Sequence, residues 1–156
     1  MPLLHDHTVC GCRRAGADGF ASAKAPRHYP PDLSIEPTHL DIDLRVDIEA
    51  RRAQGTVTHT LKVRREGADR LELNAVDLDI DEVYDIGGAE LSWRHDGEVL
   101  TVQWAEGLER EAEHELAITY SVTEPRSGLM FSPPGDGPRW AATDHETERA
   151  RHWLPC

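Results

Sequence analysis

The chain has 156 residues, and its 17 Lys+Arg against 29 Asp+Glu give a formal net charge of −12. The length suits one domain with its own core, and 38% hydrophobic with 29% charged residues is ordinary for a soluble globular chain. An acidic balance without clustered Lys/Arg argues against a nucleic-acid backbone or an anionic membrane as the main partner.

No stretch approaches the ~18–20 apolar residues of a membrane span. The opening Met1 to Cys12 does not read as a signal peptide. His5, Asp6 and His7 break its apolar runs, and the basic pair Arg13-Arg14 follows them rather than preceding them. Three cysteines are an odd number and make no disulfide framework, so a cytoplasmic location is expected. Residues 1–27 lack periodicity and read as a loosely ordered leader.

The first clear pattern runs from Thr38 to Glu49. Leu40, Ile42, Leu44, Val46 and Ile48 point one way, and Asp41, Asp43, Arg45 and Asp47 the other. A period of two over this length predicts a half-buried strand. Gln54-Gly55 reads as a turn, followed by a strand with Val57, Leu61 and Val63 on one face. His59 falls on that apolar face, as a satisfied core or edge histidine. Asp69 to Ala75 predicts a third strand. Leu78, Ile80, Val83 and Ile86 form a segment whose phase slips near Asp81-Glu82, where a bulge or turn is expected.

Gly87-Gly88 signals a turn. Leu91 and Trp93 then predict a short strand, His95-Asp96-Gly97 a hairpin turn, and Leu100, Val102 and Trp104 the return strand. His114 to Val122 closes the series. About seven strands with turns between them predict an all-β antiparallel fold, as a sandwich or a saddle-shaped pair of sheets. The charged segment from Asp144 to His152 lacks Gly and Pro and predicts a short helix, capped by Thr143 or Asp144.

Few constellations carry chemistry. His5, His7, Cys10 and Cys12 sit within eight residues. Zinc ligands usually pair Cys-x2-4-Cys with a second, distant pair, and this spacing does not match a tetrahedral structural site. His114-Glu115-Leu116-Ala117-Ile118 and His145-Glu146-Thr147-Glu148-Arg149 each begin like the zinc-protease helix H-E-x-x-H. Ile118 and Arg149 replace the second histidine, so neither puts two imidazoles on one face. The densest segment is Gly128-Leu129-Met130-Phe131, a Gly/Pro-rich loop, and then Trp140 to Cys156. From spacing alone it reads as a capped, salt-bridged surface helix.

That segment resembles the end of the N-terminal domain motif of the M1 zinc aminopeptidases, which include aminopeptidase N and leukotriene hydrolase. Gly128-Leu129-Met130-Phe131 resembles the family's Gly-Leu-aromatic-Phe stretch. Thr143, Glu146, Ala150, Arg151, Pro155 and Cys156 match its Thr-Gln-x-Glu, Ala-Arg and Pro-Cys pattern with spacing intact. Asp144 stands where the family has Gln, Leu154 where it has an aromatic, and Met130 replaces the aromatic before Phe131. His28-Tyr29, Asp32-Leu33 and the first strands resemble the opening of the same domain.

The resemblance implies a domain over 28–156, incomplete at its C-terminal end, whose partner is the catalytic domain of the same parent chain. It implies that Glu146, with Asp144, binds the free α-amine of a peptide substrate. Thr143, Ala150, Arg151, Pro155, Cys156, Gly128 and Phe131 are then motif residues that shape the segment. It implies zinc in the parent, on an H-E-x-x-H helix and beside a Gly-x-Met-Glu-Asn strand, and no metal or catalytic residue and no activity in this chain alone. A free-standing β-sandwich binding module without a peptidase role is the alternative that the residues leave open.

Overall fold

The computed structural model describes residues 34–135 and 137–156. Nine strands follow one another: β1 (Ile35–Asp47), β2 (Arg52–Val63), β3 (Ala68–Asn74), β4 (Asp79–Asp85), β5 (Leu91–His95), β6 (Val99–Leu108), β7 (Glu113–Thr123), β8 (Leu129–Phe131) and β9 (Ala141–Thr143). They form a four-stranded sheet in the order β1-β2-β7-β4, a three-stranded sheet β3-β6-β5, and a two-stranded ribbon β8-β9. Every pairing is antiparallel. The all-β architecture expected from the alternation is the observed one.

The core forms where the alternating apolar rows meet. Val57, Leu61 and Val63 of β2 share a buried cluster with Leu116, Ile118, Tyr120 and Val122 of β7, Leu71 and Leu73 of β3, and Leu100, Val102 and Trp104 of β6. Register fixes the faces: Val57 pairs with Ile118 and His59 with Leu116. On the other face Thr56 and Thr119 sit opposite each other, with their hydroxyls 3.1 Å apart. Such cross-strand pairs stabilise a sheet by roughly 0.2–1 kcal/mol each. The expected slip in the fourth segment is real, since the β4–β7 register shifts between Ile80 and Glu82.

Three expectations are corrected. Gln54-Gly55 is not a turn; it lies inside β2, and the chain reverses at residues 48–51, where Arg51 takes φ 52°. Gly55 is there for space: a Cβ on it would lie 2.1 Å from the Asp43 carbonyl oxygen of β1. The segment Asp144 to His152 is not an α-helix. Its helical part is one 3₁₀ turn, Arg149–His152, preceded by Glu148 without a side-chain cap. Thr143 ends β9 instead, and the Asp144 carboxylate serves the loop rather than a helix terminus.

The row on β1 is apolar but largely uncovered. Leu40 and Leu44 are half-buried, whereas Ile42 is 46% and Val46 44% exposed. β1 is the outer strand of its sheet, so no further strand pairs its free edge among the described residues.

Candidate functional site

The segment from Gly128 to Cys156 is fastened to the sheets at several points. The ribbon buries Leu129 and Phe131 and turns Met130 outward. Gly128 has φ +80°, and a Cβ on it would fall 2.2 Å from the Arg149 carbonyl oxygen and 2.8 Å from Trp153 Cδ1. A glycine is therefore required both by conformation and by close approach. The Gly128 carbonyl accepts the Asp144 N–H at 2.9 Å, which fixes where the loop leaves β9.

The end of the segment is tied to the core by polar groups. The Tyr120 hydroxyl donates to the Trp153 carbonyl at 2.8 Å. His59 Nε2 donates to the Pro155 carbonyl at 3.0 Å, which puts the ring proton on that nitrogen. Burial drives the His59 pKa down to about 4, against the opposing pull of that carbonyl, so the ring is neutral at pH 7. Burial also holds the Tyr120 phenol above its ordinary value. The Arg151 carbonyl accepts the Val76 N–H at 2.8 Å, and Cys156 exchanges both backbone bonds with Asn74 at 2.7 and 2.9 Å. Ala150 closes the 3₁₀ turn, its carbonyl taking the Trp153 and Leu154 N–H groups.

This frame presents the loop Asp144–Glu148. Asp144 Oδ1 accepts the Glu146 N–H at 3.2 Å, and Oδ2 pairs with Arg149. Both Asp144 oxygens are thus engaged within the loop. Glu146 is exposed, and its carboxylate has no ion-pair partner among the described residues. Glu148 is paired with Arg151 at 3.4 Å. A free carboxylate on an anchored loop can accept charge-assisted hydrogen bonds from an ammonium, worth roughly 1.5–3 kcal/mol each.

The structure therefore brings Thr143, Asp144, Glu146, Ala150, Arg151, Pro155, Cys156, Gly128 and Phe131 into one unit, in which Glu146 is an exposed carboxylate without an ion-pair partner among the described residues and Cys156 a free thiol. Sequence reasoning missed the anchors. Tyr120 lies within the His114 to Val122 strand, and the alternation there does not mark its hydroxyl as an anchor. The apolar-face His59 was visible as an anomaly, and its partner was not. The His145–Trp153 contact, with Trp153 Nε1 donating to His145 Nε2 at 3.1 Å, left no signal in the spacing.

Elsewhere, Asp85 is a buried carboxylate that takes Trp104 Nε1–H at 3.2 Å and His114 Nδ1–H at 2.7 Å, both on Oδ2. That fixes His114 within β7 as a structural partner. Among the described residues no three His, Cys, Asp or Glu converge as a metal site, and no helix is long and apolar enough to cross a membrane. His5, His7, Cys10, Cys12, His28-Tyr29 and Asp32-Leu33 lie outside the described residues.

Comparison with known proteins follows the same segment. The family model described as the peptidase M1 N-terminal domain matches residues 36–156. Aminopeptidase 2, mitochondrial, of Saccharomyces cerevisiae is 24% identical over 165 residues, covering 98% of this chain and 17% of its own. Native leukotriene A4 hydrolase from Saccharomyces cerevisiae superposes with a TM-score of 0.64 at 26% identity, over 80% of this chain and 21% of that one. An M1 zinc metallopeptidase from Deinococcus radiodurans, solved as a mutant bound to a Tyr-Ser-Ala substrate, has a TM-score of 0.62 at 21% identity. It shares the fold over 79% of this chain and 29% of its own. The chain thus spans less than a third of the length of each of these proteins.

Proposed function

The chain belongs to the peptidase M1 N-terminal domain family, and from that premise we propose that it is the non-catalytic β domain of a zinc aminopeptidase, with Glu146 binding the substrate's free α-amine. The observation that carries this reading is the loop itself. It matches the family spacing, it is anchored at both ends, and it offers one unpaired carboxylate, Glu146. Its partners are the catalytic domain of the same parent and the N-terminus of a peptide, in the cytoplasm.

The division of labour follows from charge. A carboxylate that must meet an ammonium favours peptides with a free N-terminus and rejects N-blocked ones, which is the selectivity of an exopeptidase. Hydrolysis needs a metal to activate water and a general base. Relatives of this chain are M1 zinc metallopeptidases, so that step is assigned to the catalytic domain of the parent. Asp144, with both oxygens engaged, shapes the loop, and Glu146 takes the amine.

The test is kinetic, in a polypeptide joining this domain to an M1 catalytic domain. Glu146→Ala removes one or two charge-assisted bonds, so kcat/KM for free-amine peptides should fall by at least about ten-fold. Turnover of N-acetylated peptides, already poor, should change little. Equal losses for both substrate classes would refute the assigned role.

A further inference from the structure

His145 precedes Glu146 in the loop, and the proposed function does not use it. Its ring stacks on Trp153, with centroids 5.5 Å apart and planes 21° apart. Trp153 Nε1 donates to His145 Nε2 at 3.1 Å. Trp153 is a fixed post: it is 8% exposed, Tyr120 holds its carbonyl, and Ala150 holds its N–H. His145 is exposed and so is the free member of the pair.

The direction of that hydrogen bond sets the protonation state. An indole N–H is a donor and nothing else. His145 Nε2 must therefore be bare, with the ring proton on Nδ1. An imidazolium has no acceptor, so protonation removes the bond. Attraction between a cation and the indole face keeps the ring nearby, so the loop loosens rather than leaves. We propose that His145 is a positioning residue for Glu146 and a proton-operated latch. Neutral, it ties the loop to Trp153; protonated, it releases the tie and sets a cation next to the carboxylate that takes the ammonium.

Among the described acidic side chains of the segment, Asp144 is paired with Arg149 and Glu148 with Arg151, leaving Glu146 unpaired. From the sheets, β2 and β7 contribute neutral His59 and Tyr120, and Arg126 before β8 is paired with Asp77. His152 is pushed below the ordinary histidine value by burial, then by Arg151 and Arg126.

The role as positioning residue rests on the reading of Glu146 as amine ligand; the latch does not. The two give opposite pH trends. An α-amine with a pKa near 7.7–8.0 becomes more fully charged as pH falls, so a bare carboxylate would bind it better in acid. A latch opened by protonation makes binding worse in acid.

The test uses the chain itself, labelled with nitrogen-15, and alaninamide as the amine probe. The Trp153 indole N–H resonance should move as the solution is acidified and stay put in His145→Gln, whose Oε1 still accepts the indole proton. An indole that ignores pH, or that titrates identically in His145→Gln, overturns the latch. Alaninamide affinity should drop about three-fold or more from pH 7 to 5.5 in the parent chain and hold or rise in His145→Gln. A rise in the parent chain overturns the coupling to Glu146. Alaninamide that binds neither protein, or still binds after Glu146→Gln, overturns the Glu146 reading and the positioning role with it, whatever the indole does.

Discussion

Replacing Gly128 with Ala tests how the candidate loop is seated, and Gly88→Ala supplies its control. The two glycines have nearly the same backbone, φ +80° and +84°. An L-residue in that region costs about 1–2 kcal/mol, and both variants incur it. They differ in space. A Cβ at 88 meets nothing within 4 Å, whereas at 128 it lies 2.2 Å from the Arg149 carbonyl oxygen and 2.8 Å from Trp153 Cδ1. A backbone oxygen cannot swing aside as a side-chain end can, so the 3₁₀ turn must shift by about an ångström. Overpacking of this kind costs a further 1–3 kcal/mol or so. Gly88→Ala should thus lose about 1–2 kcal/mol and Gly128→Ala about 2–5, with melting points about 4–8 °C and 8–20 °C below the parent. Urea and thermal unfolding of the three proteins measure both numbers. Losses agreeing within about 0.5 kcal/mol, the usual span of harmless substitutions, would mean that the segment is not seated against Gly128.

Tyr120→Phe keeps the ring and deletes the donor to the Trp153 carbonyl, so it should cost about 1–3 kcal/mol in urea unfolding. His59 predicts a pH dependence. Its ring takes a proton near pH 6.5 when unfolded and near pH 4 when folded. As pH falls from about 6.5 to 4 the unfolded state binds more protons, so stability declines, by roughly 3 kcal/mol in all. His59→Gln keeps an N–H donor without the titration and should flatten that part of the profile. Asp96 and Glu111, held low chiefly by hydrogen bonds from the Val99 N–H and the Lys62 side chain, lose stability in acid in both proteins and cancel in the comparison. Ile42 and Val46 leave an apolar row exposed on β1, whose outer edge is unpaired among the described residues, which should make the chain self-associate at high concentration. Size-exclusion chromatography of the Ile42→Lys variant should show the effect relieved.

Strands such as β2, β6 and β7 were legible because each is long, regular and buried on one face, whereas the three-residue β8 and β9 carry too short a pattern to show. The β4 bulge was legible too, since one shifted residue moves every later apolar side chain out of phase. Glycine was ambiguous. Gly55 carries a turn signal, yet it answers to the Asp43 backbone of the neighbouring strand, which no local pattern reveals. The segment after Thr143 has helix-forming composition but is pinned by Tyr120, His59, Asn74 and Val76. Tertiary bonds to distant backbone overrode local preference. For the candidate site, the resemblance to the M1 family pointed to Glu146, with Asp144. That Asp144 is occupied by Arg149 and the Glu146 N–H, and that His145 leans on Trp153, depends on the loop's three-dimensional course.

The central claim concerns one contact, between Glu146 and a substrate's α-amine. A crystal structure of this domain joined to an M1 catalytic domain, with a slowly cleaved peptide bound, measures it directly. The account predicts the ammonium nitrogen within about 2.7–3.2 Å of a Glu146 carboxylate oxygen, with Asp144 still on Arg149. A peptide whose amine is held by other groups, leaving Glu146 in solvent, would contradict it.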